Sequence, residues 1–359
     1  MNWNEYKDKV ISEGASANKS SEYIASYLTY AQPLFEQNVP IITESSHFSM
    51  LVGFTHEYIC RMAYGANSFY RHFTIKKSNG KDRNIDEPLP DLKCVQKWIL
   101  QEILYKIPVS KYAKAFVPGQ SLKHNVRFHR AQDAVVTVDV KDFFPTINIK
   151  RIHQVFLNIG YKDKIAWFLS NLCCLNNSLP QGAPTSPCLS NIVMRGIDHK
   201  LGEYCLSKKY RYTRYADDLT FSGDKSVIMI IPFVSNLLYE NGFTLNPTKT
   251  RVAKKNARQE ITGIVVNEHL QIPKSKRKVI RQEIYYIEKF GLDSHLNHIN
   301  ETRQNYLRHL LGKVNFACFI NPKDNEMQRY YDLLKALYLE QINRGSNNAE
   351  EDGEDINRQ

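Results

Sequence analysis

The apolar positions change their period several times along the chain. Residues 1 to about 60 show helical spacing and little turn punctuation, as in YIASYLTYAQPLF, which predicts an α-helical N-terminal extension whose helix ends at Pro33. From residue 69 the texture becomes β. FYRHFTIKKSNGKDRNIDEP reads as two short strands around Ser78-Asn79-Gly80-Lys81, a hairpin with basic residues at its tip. DLKCVQKWILQEILYKI then predicts a helix stopped by Pro108. DAVVTVDV, 133 to 140, predicts a strand with Val136, Val138 and Val140 on one face and Val135, Thr137 and Asp139 on the other. A carboxylate is therefore presented at the end of a mostly apolar strand.

After KDFFPTI, helices are expected at about 149 to 160 and 162 to 174, followed by the loop NNSLPQGAPTSP and a helix of about twenty residues, CLSNIVMRGIDHKLGEYCLS. YRYTRYADDLTFSG, 210 to 223, alternates like a strand, sets Asp217 and Asp218 where a turn belongs, and alternates again. An amphipathic helix (226 to 241) and short strands near 249 to 253, 260 to 266 and 270 to 272 come next, and everything from Pro273 to about 343 reads as helix. Elements mixed in the middle and segregated at the ends predict an α+β fold with a helical appendage. The acidic ending SNNAEEDGEDINRQ reads as disordered.

Composition adds a partner class. A chain of 359 residues that is 42% hydrophobic can bury a large core in two or three subdomains. Lys and Arg number 48 against 37 Asp and Glu, a net +11, and the acidic ending hides a body of about +15. A polyanionic partner and a merely well-dispersed basic protein both fit that charge. Seven cysteines, with no C-x-x-C and no zinc spacing, read as reduced, apolar residues. The start MNWNEYKDKV lacks a signal-peptide pattern, and the best apolar run, VIMIIPFV, is far short of the roughly 18 residues a span needs. A cytoplasmic protein with no membrane partner is the expectation.

Asp139, Asp217 and Asp218 stand out by position. Neighbouring strands would bring them together, and clustered carboxylates stay ionised only if a cation holds them. Oxygen ligands select a hard ion, Mg²⁺ or Mn²⁺, and two such ions suit in-line phosphoryl transfer. Asp is also an ordinary turn residue, so the pair alone decides nothing. A Tyr-Ala-Asp-Asp turn without glycine is, however, poor on propensity, and a local rule broken at one point marks a functional site.

Tyr215-Ala216-Asp217-Asp218 resembles the Tyr-x-Asp-Asp hairpin of reverse transcriptases, VDVKDFFPTI their first catalytic strand, and LPQGAPTSPCLSN their nucleotide-side loop and helix. Order and spacing agree across about residues 69 to 320. The nearest subgroup is the bacterial retron-type enzymes, with further likeness in SLKHNVRFH, ITGIVVN and LGKVNFACFINP, although Val126 and Ile261 replace the usual Ala and Val. The resemblance implies a right-hand polymerase: a helical N-terminal extension (1–60), fingers and palm (61–272), a helical thumb (273–345) and a disordered acidic tail (346–359). It further implies Asp139, Asp217 and Asp218 as catalytic metal ligands, with the Val140 carbonyl as another, for two Mg²⁺ ions, Mn²⁺ being the substitute. Phe144 would be the aromatic gate against a ribose 2′-OH, and Gln181 would meet the incoming sugar and base. Lys77 and Arg83 would bind the triphosphate, with Lys76 and Lys81 as fallbacks. Asp142 and Phe143 would offer it backbone N–H groups, and Lys249 would support the site.

Between 249 and 281 the basic residues Arg251, Lys254, Lys255, Lys274, Lys276, Arg277, Lys278 and Arg281 far outnumber acids, as in a groove that tracks a phosphate backbone. Tyr285, Tyr286 and Phe290 sit nearby at helical spacing, which favours core over stacking platforms. Asn125 and His129 would either contact template, which is the expectation, or fix a loop. The implied activity is RNA-directed DNA synthesis from dNTPs on a cognate structured noncoding RNA, self-primed from an RNA 2′-OH to give branched RNA-DNA (msDNA) in antiphage defence. RNA removal and the effector would fall to separate proteins. The alternatives are another bacterial defence-associated or intron-type reverse transcriptase without branched product, and a catalytically silent RNA-binding scaffold.

Overall fold

The computed structural model describes residues 1–76, 80, 82–303 and 305–355, with 344–355 as backbone only. Four helices open the chain: α1 (Trp3–Ser16), α2 (Ser21–Glu36), α3 (Ser45–Val52) and α4 (His56–Tyr64). The hairpin β1 (Tyr70–Lys76) and β2 (Asp82–Pro88) and helix α5 (Pro90–Glu102) follow. Next come α6 (Leu122–Val126), β3 (Ala134–Asp139), α7 (Phe143–Thr146), α8 (Ile149–Ile159), α9 (Asp163–Cys173) and α10 (Ser186–Ser207). The middle closes with β4 (Arg211–Tyr215), β5 (Asp218–Gly223), α11 (Ile230–Glu240), β6 (Arg251–Lys254), β7 (Glu260–Ile261) and β8 (Ile264–Val265). The rest is helical: α12 (Lys274–Phe290), α13 (Leu292–His298), α14 (Tyr306–Ile320) and α15 (Asn325–Asp355). The described strands make a sheet in the order β4-β5-β3-β6 and two hairpins, β1-β2 and β7-β8. The expected α+β class holds, and no helix of the described residues is long and apolar enough to cross a membrane.

The chain divides into two compact units. The first gathers Met1–Ser121, Val136–Phe221 and Ser226–Arg251. Its N-terminal helices are not a separate extension. Phe48 of α3 meets Trp98 of α5 and Phe168 of α9 edge-on at 5.4 and 5.6 Å, and Gln37 donates to the Ile159 carbonyl at 2.8 Å. The fully buried Gln96 donates to the Tyr70 hydroxyl and the Leu172 carbonyl, tying the hairpin's base to α5 and α9. Pro33 does not end its helix, because α2 runs on to Glu36. A proline so near the last turn costs one N–H bond, and the last turn is capped by Gln37, whose backbone and side-chain N–H groups both donate to the Pro33 carbonyl.

The second unit holds Leu122–Val135, Ser222–Lys225 and the chain from Val252. Ile280, Ile284 and Ile287 line one face of α12 and meet Leu310 and Val314 of α14 in a core that also takes in Ile261, Ile264, Val266 and Ile272. The boundary expected at 272 therefore falls earlier, because the β7-β8 segment gives its apolar side chains to this helical core. Helix α15 continues through residues 346–355, which composition had marked as disordered.

Candidate active site

β3 is buried along almost its whole length, as a central strand must be, and delivers Asp139 at its end. β4 and β5 close a tight turn in which Ala216 takes a left-handed φ of 58°. The two motifs are stitched by backbone: the Val140 N–H donates to the Asp217 carbonyl at 3.0 Å, and the Asn246 N–H donates to the Asp139 carbonyl at 2.8 Å. The sheet order thus brings Asp139, Val140, Asp217 and Asp218 together, as the spacing predicted.

The electrostatics follow from that crowding. Burial, then Asp217 and Asp139, push the Asp218 carboxyl up to about 7, against relief from Lys249 and Arg251. Asp217 is also raised, chiefly by burial and by Asp139, with Arg83 among the groups that oppose the shift. Asp139 is engaged differently. Lys249 Nζ lies 2.6 Å from its Oδ2 and Asn246 Nδ2 lies 3.3 Å from its Oδ1. Lys249 is raised: burial would lower it, but the bond to Asp139 and the neighbouring acids outweigh that. With Asp139 turned to this ammonium, no three His, Cys, Asp or Glu side chains among the described residues converge as a ready-made metal cluster. The donor chemistry still suits a hard divalent cation, since every candidate ligand is oxygen and two carboxylates are raised by burial and by neighbouring acids, a cost that a cation would relieve.

A pH test follows. The folded chain holds a proton on Asp218 more tightly than the unfolded one, so without divalent cation its contribution to stability falls as pH rises from the ordinary carboxylate range to about 7. Asp217 acts in the same sense, whereas the Lys249 contribution changes only in strongly alkaline solution. Thermal melting in cation-free buffer should therefore show Tm dropping between about pH 5 and pH 7, with a shallower slope in Asp218→Asn. Equal slopes in both proteins would mean that the Asp218 carboxyl is not raised in the folded chain.

Phe143 is buried against Phe243, with ring centroids 6.0 Å apart, while Phe144 is only partly covered. The adjacent phenylalanines thus divide into a core ring and an accessible one. Asp142 adopts φ 45° ahead of α7, and its carbonyl accepts from the Thr146 N–H. The Gln181 carbonyl accepts from the Asp86 N–H at 2.9 Å, and a Cβ on Gly182 would stand 2.5 Å from the Asp86 carbonyl. Only glycine permits this approach of loop to hairpin. Arg83 on β2 is exposed within electrostatic reach of Asp217. Lys77 and Lys81 lie outside the described residues; Lys76 ends β1, exposed.

The basic run divides. Arg277 binds Asp324 and Glu326, and Arg281 binds Glu326 through Nε and Nη2, so these two brace α12 against α15 rather than wait for phosphate. Lys255 pairs with Asp133 at 3.6 Å. Lys254, Lys274, Lys276 and Lys278 are exposed and make no salt bridge among the described residues. Arg251 is nearer the acids than expected, within reach of Asp218. Asn125 and His129 are both 0% exposed, and His129 Nδ1 lies 2.7 Å from Ser222 Oγ, so neither is placed to touch a template. Tyr285 and Phe290 are about half exposed with Lys289 over both rings, whereas Tyr286 stacks on His295, so the aromatic run is only partly core. Sequence reasoning missed Asn246, whose signal was its place in the same short NPTKT segment as Lys249.

A buried strand ending in one acid, laced to a turn carrying two more, is an arrangement suited to metal-dependent phosphoryl transfer. The family described as reverse transcriptase (RNA-dependent DNA polymerase) matches residues 75–286, more than half the chain. The retron Ec86 reverse transcriptase of Escherichia coli is 31% identical over 286 residues, 78% of this chain and 88% of that one. Two Myxococcus xanthus enzymes, the retron Mx162 and Mx65 reverse transcriptases, are 34% and 31% identical, covering 59% and 72% of this chain and 51% and 62% of theirs. Telomerase from Candida albicans is a looser structural likeness, TM-score 0.45 at 10% identity over 74% of this chain and 60% of that one. The chain belongs to the bacterial retron-type reverse transcriptases. It is an RNA-directed DNA polymerase with the right-hand fold, RNA and DNA as partners, and the divalent-cation dependence of its family.

Proposed function

We propose that this enzyme copies part of a cognate structured noncoding RNA, priming from an internal RNA 2′-OH to leave a branched RNA-DNA product, as one component of a retron antiphage system with a separate effector protein. The observation that carries the catalytic part is the 3.0 Å Val140-to-Asp217 backbone bond, which fastens three acids into one site. Asp139, Asp217 and Asp218, with the Val140 carbonyl, would hold two Mg²⁺ ions, Mn²⁺ being the substitute. When bound, the ions would activate the attacking hydroxyl and stabilise the leaving oxygen. Lys249, 2.6 Å from Asp139 Oδ2, would support the site by holding that carboxylate in place.

The chain's own groups supply the rest. Arg83, with Lys77, neutralises the triphosphate, and the N–H groups of Asp142 and Phe143 face it. Phe144 bars a 2′-OH, and Gln181 orients sugar and base. The RNA 2′-oxygen bonds to the α-phosphorus, pyrophosphate leaves, and the hydroxyl proton passes to solvent. Lys254, Lys274, Lys276 and Lys278 with Arg251 track phosphates, and the helical unit from Val252 serves as a thumb that reads RNA by shape and 2′-OH contacts. Residues 61 to about 251 would serve as fingers and palm.

Nucleic acid copurifying with the protein tests the proposal. It should contain RNA joined to DNA through a 2′,5′ linkage and should resolve into two strands with debranching enzyme. DNA made on a supplied linear primer, with no branched species in cells, would favour the defence-associated or intron-type alternative.

A further inference from the structure

Arg214 is buried completely, only three residues before Asp217. Every arm of its guanidinium is used. Nε and Nη2 donate to the two oxygens of Asp198 at 2.8 and 2.7 Å, and Nη1 donates to Asn191 Oδ1 at 2.9 Å and to the Ala216 carbonyl at 3.0 Å. Tyr212 adds its hydroxyl to Asp198 at 2.8 Å, and Asn191 Nδ2 donates to the Ala115 carbonyl at 2.9 Å. An ion pair this deep contributes little net stability, since apolar residues of the same volume would fill the space as well. Its bonding suggests instead a role in specifying one geometry.

That geometry is the catalytic turn. Ala216 is a non-glycine residue in left-handed conformation, a state that persists only where surroundings over-determine it. Its carbonyl is taken by Arg214, and the N–H of the same peptide belongs to Asp217. Fixing the carbonyl therefore fixes the plane that aims Asp217. Asn191 and Asp198 both lie on α10, the helix that follows the Gln181-Gly182 loop, so one side chain registers the turn against the element leading from the nucleotide loop.

We propose that Arg214 is a positioning residue that sets the Ala216-Asp217 peptide, and through it the aim of the paired acids. This rests on the reading that Asp217 and Asp218 hold the metal. The test compares full-length Arg214→Lys, Asn191→Ala and Asp217→Asn with the parent for single-nucleotide extension, Mg²⁺ half-saturation, primer-template Kd and thermal melting. Lysine keeps the charge beside Asp198 but cannot reach all four acceptors. Arg214→Lys should melt cooperatively and bind primer-template as the parent does, with kcat reduced roughly 10²-fold and half-saturation by Mg²⁺ raised severalfold. Asn191→Ala should move both in the same direction by less. A folded Arg214→Lys with parental kcat and Mg²⁺ dependence, beside an inactive Asp217→Asn, overturns the inference and leaves the metal reading standing. Activity retained by Asp217→Asn overturns the metal reading itself. If Arg214→Lys does not fold, a folded Asn191→Ala with parental kinetics overturns the inference, and failure of both to fold assigns Arg214 to the fold alone, which also overturns it.

Discussion

Asp217→Asn and Asp218→Asn are each expected to lower DNA synthesis by roughly 10³-fold or more, because each removes a charged ligand whose cation supplies several kcal/mol of transition-state stabilisation. Stability should move the other way. Both carboxyls are raised by burial and by their neighbours, so replacing either with a neutral amide of the same shape relieves repulsion. A Tm equal to or above that of the parent in cation-free buffer at neutral pH, together with lost synthesis, separates a catalytic role from a structural one. The measurement is primer extension with RNA template, dNTPs and Mg²⁺, alongside melting curves. Parental rates in both variants would remove the catalytic assignment of these two acids.

Phe144→Ala is expected to weaken sugar discrimination on the order of 10²-fold while changing dNTP incorporation far less. The contrast with its neighbour makes this specific. Phe143 is 4% exposed and packs on Phe243, so Phe143→Ala should cost about 3 to 5 kcal/mol of stability by opening a cavity. Phe144 is partly open, and its removal should act mainly on substrate choice. Competing rNTP and dNTP incorporation on one primer-template reads the effect directly. Unchanged discrimination in Phe144→Ala would assign the exclusion of ribose to another group.

The elements around the acids were readable because their signals are local. β3 is a nearly unbroken apolar run ending in one acid, and the β4-β5 hairpin announces itself by two alternating runs around a turn that lacks the usual glycine. What was hidden depended on partners far along the chain. β7 and β8 are two residues each, too short to alternate, and their destination is fixed by a core with Leu310 and Val314. Arg277 and Arg281 read as phosphate binders because Asp324 and Glu326 lie more than forty residues on. His129 looked like a template contact because nothing near it in sequence reveals Ser222. Arg214 carried another overlooked clue, since alternation puts it on the inward face with Tyr212, where a charge demands a buried partner.

The seating of Phe48 between Trp98 and Phe168 bears on how such chains can diverge. Residues before about 60 cannot be exchanged between relatives as a cassette. A swapped N-terminus would need to bring a ring for that slot and a donor where Gln37 meets the Ile159 carbonyl. Recombination at this border should therefore succeed only between sequences whose α5 and α9 faces have changed together.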